Sequence, residues 1–346
     1  MTSYNRYLYV AILAVVVALP AAAQTVLKGA GTPDQLPVYS KWFSGYHAAN
    51  PSVEITYAAV GSGHGMLAVM DGTADFAASE GPMTDEDLQT YRDKHGFAIL
   101  HVPALIEAVV PMYNIRGLTQ ELNFTPEGLA GIVLGKITNW NDPVIARANP
   151  GTNPPDLPIV VVHRSGGRTN HVWSDYLCKV SPEWKSVAGA PDDAIRWPAG
   201  FGLSANEDDE VVGLMKQTDG SIGFLNFPYV LATNLPYGRV RNRSGAFVRA
   251  DLASLTAAAA FSAKAIVGAD SRLSITNAPG KMAYPMANFA WLLVPRKAVD
   301  SARKQALVGF LRWAIAEGQN FVEPVGFAKL PPQVVTRAEE ALAQIQ

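Results

Sequence analysis

The chain has 346 residues, one cysteine, 49% hydrophobic residues and a formal net charge of -2. Two domains are the natural expectation at this length, and the apolar share can fill a large core. The charge balance carries no footprint for nucleic acid, and a single cysteine excludes an internal disulfide.

Residues 1–23 place Arg6 in a short polar start, an apolar run over 7–19, and Ala21-Ala22-Ala23 before Gln24. That layout is a secretory signal peptide, so the mature chain is expected in the periplasm or outside the cell. The apolar run is short for a membrane span, and no cysteine follows the small residues to take a lipid anchor. Residues 25–27 are expected as a strand entering the Gly-rich turn Gly29-Ala30-Gly31-Thr32-Pro33. Over 35–49, Leu36, Tyr39, Trp42, Phe43 and Tyr46 recur at helical spacing and form an aromatic core face.

An apolar strand-like run over 53–60 leads into Gly61-Ser62-Gly63-His64-Gly65, with a helical pattern from Met66. A Gly-rich turn that opens a helix presents unpaired N–H groups at a positive helix end, which suits an anion. The same pattern also serves as a plain tight turn. Next comes Ala74-Asp75-Phe76-Ala77-Ala78-Ser79-Glu80, a short strand ending in a hydroxyl and a carboxylate. Glu80 by itself suits a solvated surface. Beside a bound anion, its carboxylate requires an anion with a proton to donate: hydrogen phosphate has one, and sulfate at neutral pH does not.

Residues 97–110 are apolar and β-branched, a strand long enough to cross between domains, interrupted at Pro103. A helix over 125–134, a Pro- and Asn-rich connection over 149–158 and a strand over 157–163 follow. That strand delivers Arg164-Ser165-Gly166-Gly167-Arg168-Thr169 to a helix over 170–179. This third Gly-rich turn carries two arginines, whose planar forks suit tetrahedral oxyanions. Further on, helices are expected over 208–216, 252–266, 298–317 and 331–344, with strands over 220–225 and 282–294. Strand, Gly turn, helix repeats imply a parallel sheet whose ligands sit outside the carboxyl ends of the strands. His64 and His163 stand alone near these loops, without a convincing catalytic constellation.

The set of segments in order resembles the periplasmic phosphate-binding proteins of the high-affinity phosphate ABC transporter. The resemblance is carried by Leu27-Lys28-Gly29-Ala30-Gly31, Pro37-Val38-Tyr39-Ser40-Lys41-Trp42, the Gly61–Gly65 loop and the segment from Ala74 through Thr84. Gly135-Lys136-Ile137-Thr138-Asn139-Trp140, residues 169–177, Trp197-Pro198 and Gly220-Ser221-Ile222-Gly223-Phe224 complete it. It implies an α/β fold of the type II periplasmic binding protein, two lobes joined by two crossing strands. One lobe would be discontinuous, 25–106 plus 284–346, and the other would span 107–283.

The resemblance also implies ligand residues. The first-loop threonine falls on Thr32, or on Pro33 in a strict register. The second-loop serine falls on Ser62. The carboxylate that accepts the phosphate proton falls on Glu80, where the family usually has Asp. The fourth loop, usually Arg-x-Asp-x-Ser-Gly-Thr, is one residue shorter here. It gives Arg164 as the clamping arginine, Gly167 and Thr169 at its end, and Arg168 as an addition. The loop's Asp, which normally pairs with the arginine, has no counterpart, so a more positive site is expected. The implied function is binding of inorganic phosphate between the lobes and delivery to a membrane ABC permease, by a monomer with no cofactor, no metal and no catalytic residue. A different oxyanion or phosphate ester on the same fold, an exported phosphatase-like enzyme and a sensory protein are the alternatives.

Overall fold

A computed structural model describes residues 24–197, 201–262 and 272–346. The expected signal peptide, Pro198 and the far end of the helix expected over 252–266 lie outside them. Among the described residues, eight strands form one sheet, in the order β2 (Val53–Ala59), β1 (Thr25–Gly31), β3 (Phe76–Ser79), β11 (Ala287–Pro295), β4 (Ile99–Asn114), β8 (Ser221–Asn226), β6 (Val160–Arg164), β7 (Leu203–Ala205). A small sheet of β10 (Phe247–Val248), β9 (Arg239–Arg241) and β5 (Asn123–Phe124) flanks it.

Strand β4 organises the whole. Its 16 residues are buried up to the last, so its sequence is predominantly apolar rather than alternating, with His101 and Glu107 as buried exceptions. It pairs antiparallel with β11 over Ile99–Ala108, then changes partner and pairs antiparallel with β8 from Val109 onward. Pro103 does not interrupt it. The ladder to β11 slips instead: Ala290 faces Leu105 and Trp291 faces Pro103. The residue left without a register partner is Ala104, and a bulge next to the residue without an N–H is the expected accommodation.

The strand directions place the loops. β1, β2 and β3 run parallel, and so do β6, β7 and β8 in the other half. Because β11 is antiparallel to both β3 and β4, while β8 is antiparallel to β4, the two sets run in opposite senses. Their carboxyl ends therefore meet over the middle of β4. Thr32, Val60 to Ser62 and Glu80 leave one set, and Arg164, Asn206 and Asn226 end or follow the other.

Helices cover both halves. Helix α1 (Leu36–Ala49) buries Tyr39, Trp42 and Tyr46 as its spacing requires, and Trp42 donates its indole N–H to Gly318 O at 2.7 Å. Phe43, Tyr57, Phe76 and Phe310 pack ring to ring beside it. Helix α2 is Ser62–Met70, so it starts at the Gly-rich segment itself rather than at Met66. Gly61 precedes it with φ 86°, and Gly65 lets the first turn press onto β1: a Cβ there would lie 2.6 Å from Gly31 Cα and 2.8 Å from Ala30 O. Backbone on both sides cannot yield, so Gly65→Ala is expected to cost about 1–3 kcal/mol. Denaturant unfolding reads this as a lower midpoint at unchanged slope; an unchanged midpoint would show that α2 can ride outward freely.

Helix α3 (Asp85–His95) was not legible as a spaced apolar face, and it is held by its ends. Thr84 and Asp87 form a reciprocal capping box, and Gly96 closes the helix in the left-handed region. The other half carries α4 (Pro126–Val133), α5 (Pro143–Ala148), α6 (Arg168–Val180), α7 (Pro182–Ala188), α8 (Asp208–Gln217), α9 (Pro228–Thr233) and α10 (Leu252–Ser262). Helices α11 (Ser301–Ile315) and α12 (Pro332–Leu342) return to the first half. No described helix is long and apolar enough to cross a membrane.

Candidate functional site

The carboxyl ends of the two strand sets enclose a cleft of about 670 Å³. Thr32, Pro33, Asp34, Gly61, Ser62, His64 and Glu80 line it from one side, and Arg164, Gly167, Arg168, Asp193 and Glu207 from the other. Six of the seven residues singled out by sequence therefore share one cavity. The seventh, Thr169, is 2% exposed just behind the lining. A wider depression of about 820 Å³ elsewhere holds none of these residues, and its Arg241 is already paired with Glu127 at 2.7 Å.

Two helix N-termini open into this cleft. Ser62 begins α2, and Arg168 begins α6 after Gly167 at φ 113°. Neither helix has a side-chain cap on its first N–H groups. Uncapped N–H groups at two positive helix ends, facing one cavity, favour an anion. Three further donors are buried without a protein partner: Arg164 Nε, Arg168 Nε and Thr169 Oγ1. Thr32 contributes its hydroxyl only, since its N–H is bound to Ala78 O at 3.2 Å, and Pro33 has no N–H to give.

The expected excess of positive charge is not found. Arg164, at the end of β6, donates through Nη1 to Asp208 at 3.1 Å, and through Nη2 to Asn206 O at 2.8 Å and Glu207 at 3.2 Å. Burial works against its charge, but Asp208 and Glu207 outweigh that and hold the guanidinium above its ordinary value. Arg168 pairs with Asp193 at 3.2 Å and reaches across the cleft to Met66 Sδ at 3.4 Å. Asp193 is pulled below its ordinary value, because His171 and Arg168 together overcome its burial. The counter-charges missing from the shortened loop come from residues about 25 to 44 positions further along the chain.

Glu80 lies at the floor, 6% exposed, in an alternating chain of carboxyl and amide groups. Asn226 Nδ2 donates to Glu80 Oε1 at 2.8 Å and to Asp34 Oδ2 at 2.9 Å. Gln35 Nε2 donates to Glu107 at 2.7 Å and to Glu80 at 3.4 Å, and Asn288 donates to Glu107 at 2.7 Å and to the Glu80 carbonyl at 3.2 Å. Burial first, then Asp34 and Glu107, push the Glu80 carboxyl well above its usual range. Burial raises Glu107 to about 8 although its two amide donors oppose this, and burial with Asp34 raises Asp208 to about 7 against the pull of Arg164.

Glu107 is fully buried in mid-β4 and was not singled out from the sequence. Its native value of about 8 exceeds its ordinary 4.5, so the folded state holds the proton more tightly than the unfolded state. Its contribution is complete below the ordinary value and lost as pH rises through about 8. In phosphate-free buffer the melting temperature should fall across that window, and Glu107→Gln should flatten the fall. Parallel curves for parent and variant would show that the pH dependence comes from elsewhere.

His163 is structural. Its ring nitrogens meet Arg164 O at 3.0 Å and Phe201 O at 3.1 Å, and it stacks on Trp197. His64 is exposed at the rim and bonds Val60 O at 3.1 Å.

Against known proteins, residues 18–317 match the model of the PBP superfamily domain. A protein of Xylella fastidiosa (strain Temecula1) named phosphate-binding protein PstS is 36% identical, over 92% of this chain and 86% of its own length. One of the same name from Pasteurella multocida is 34% identical, over 97% and 94%. The chain belongs to the PstS family, within the PBP superfamily. Solved structures share the fold at low identity. A high-affinity periplasmic phosphate-binding protein (PfluDING) bound with phosphate gives a TM-score of 0.71 at 18% identity, over 91% of this chain and 93% of that one. A phosphate-binding protein from Stenotrophomonas maltophilia gives 0.65 at 16%, over 92% and 94%. The expected type II periplasmic binding architecture is thus the fold of this family member.

Proposed function

We propose that the cleft binds one inorganic phosphate and that the exported chain, as a monomer, delivers it to an ABC permease in the membrane. The observation that carries this reading is the convergence of two uncapped helix N-termini, the unpartnered Arg164 Nε and a buried carboxyl, Glu80, in one cavity. The names of the Xylella and Pasteurella relatives support it. Ser62, the start of α6 at Gly167 to Thr169, and Arg164 supply donors to the phosphate oxygens. Arg168 closes over them from the same loop, and Thr32 adds a hydroxyl. Glu80, once ionised, accepts the proton that the anion brings. Binding from both halves draws them together about the partner change in β4, with 25–106 plus 284–346 as one lobe and 107–283 as the other. This is a binding role without turnover.

The test is phosphate uptake by cells lacking their own phosphate-binding protein but retaining the permease. Export of this chain should restore uptake, and the exported protein should begin near Gln24 by intact mass. Restored binding in the medium without restored uptake would contradict delivery. A phosphate ester that binds as well as phosphate, or is cleaved, would favour the alternatives.

A further inference from the structure

The side chain of Arg168 spans the cleft. It starts from the first turn of α6 and is 12% exposed. On its own side, Nη1 donates to Asp193 Oδ1 at 3.2 Å, and His171 Nδ1 lies 3.4 Å from the same oxygen. On the far side, Nη2 donates to Met66 Sδ in α2 at 3.4 Å. Between them the arm passes Gly81, which follows Glu80 out of β3. A Cβ at Gly81 would sit 3.1 Å from Arg168 Nη1, 3.2 Å from Cδ and 3.4 Å from Cζ, and these are its three nearest atoms. Three atoms along the arm are nearly equidistant from that point, so the arm lies side-on over bare backbone. Gly81 has no positive φ, so its conformation does not demand a glycine. What demands one is the arginine from across the cleft.

We infer that Gly81 and Met66 are positioning residues that seat Arg168 across the closed cleft, and that this seat sets how fast bound phosphate leaves. The inference deepens the phosphate reading above and rests on it. The two ends of the arm are held unequally. Asp193 is a charged acceptor, whereas a thioether is a weak one. When the halves separate, Arg168 therefore stays with Asp193 and gives up Met66 and Gly81. The grip on the far side exists only while the cleft is closed, so it acts on release and not on entry of the anion. While it lasts it also fixes Arg168 Nε, which is buried without a protein partner, at the cleft wall.

The test is the rate of association and of release of radiolabelled phosphate, the latter under a chase of unlabelled phosphate. Gly81→Val sets branched carbons against the arm and displaces it. Met66→Leu keeps the bulk in α2 and removes the acceptor. Release should quicken about tenfold in Gly81→Val and about threefold in Met66→Leu, the weight of one charged contact with its packing and of one weak hydrogen bond, with association changed less than about twofold. In an Arg168→Ala background neither change should quicken release further, because the seat then has nothing to hold. A merely structural loss would persist without the arginine. Unchanged release in both variants, or equal quickening with and without Arg168, overturns the seat and leaves the phosphate reading standing. If Gly81→Val does not fold, Met66→Leu decides by the same cycle. A parent that binds no phosphate overturns the phosphate reading, and the inference with it.

Discussion

Arg164→Ala is expected to weaken phosphate binding about 100-fold or more, the loss of about 2–3 kcal/mol typical of charged hydrogen bonds to an anion. The side chain is 15% exposed, and its two Nη atoms are fixed by Asp208, Asn206 O and Glu207, leaving Nε unpartnered. The protein has thus oriented the guanidinium before any ligand arrives, which spares the ligand the ordering cost. The same change leaves Asp208, 1% exposed, without its cation, so stability also drops. Two measurements separate these effects. Arg164→Ala with Asp208→Asn should recover much of the unfolding midpoint and little of the affinity. Arg164→Lys keeps the charge without the fork and should fall between parent and Ala. If Arg164→Ala binds like the parent while Arg168→Ala does not, the roles of the two arginines in this loop are exchanged.

Glu80→Gln is expected to narrow the discrimination between the two common tetrahedral anions. In the parent, sulfate would set its lone pairs against a desolvated carboxylate, a clash of several kcal/mol or roughly a thousandfold in affinity. A glutamine amide can donate, so it tolerates sulfate and loses the acceptor for the phosphate proton. Phosphate should weaken, sulfate should strengthen, and the gap between them should shrink by at least about tenfold. Competition titrations with both anions measure this. Equal sulfate affinity in parent and variant would place Glu80 away from the ligand. The raised carboxyl of Glu80 sets the pH sense: the unliganded group keeps its proton to a higher pH than an ordinary glutamate, and the bound anion must find it ionised. Binding therefore competes with Glu80 protonation and weakens as pH falls through that raised value.

Seven of the eight strands of the large sheet, the Gly turns and their place at the sheet's carboxyl ends were legible because they are local patterns, whereas the three-residue β7 and the short strands of the small sheet were not. Gly61 to Gly65 announces a backbone that approaches something closely, and Gly65 against Gly31 is that approach. The start of α2 at Ser62 was missed because three glycines in five residues read as loop, and tertiary packing overrides that low propensity. Helix α3 lacks an apolar stripe, but Thr84 followed by Asp87 is a capping signal that sequence alone offers. The partners of the arginines could not be read, since Asp193 and Asp208 meet them only through the fold. Glu107 did leave a signal: a lone carboxylate amid the apolar residues of β4 has to be satisfied from outside its strand. Gln35 and Asn288 do so from two other elements. Asn226 ends β8 as an ordinary polar residue, and only the folded chain shows that it bridges Asp34 and Glu80.

The most direct measurement is isothermal titration of the purified mature chain with phosphate and, separately, with sulfate at neutral pH. The account predicts one phosphate per chain, with sulfate weaker by roughly a thousandfold, because a buried carboxylate faces the anion. Sulfate binding as tightly as phosphate, or no phosphate binding at all, would contradict it.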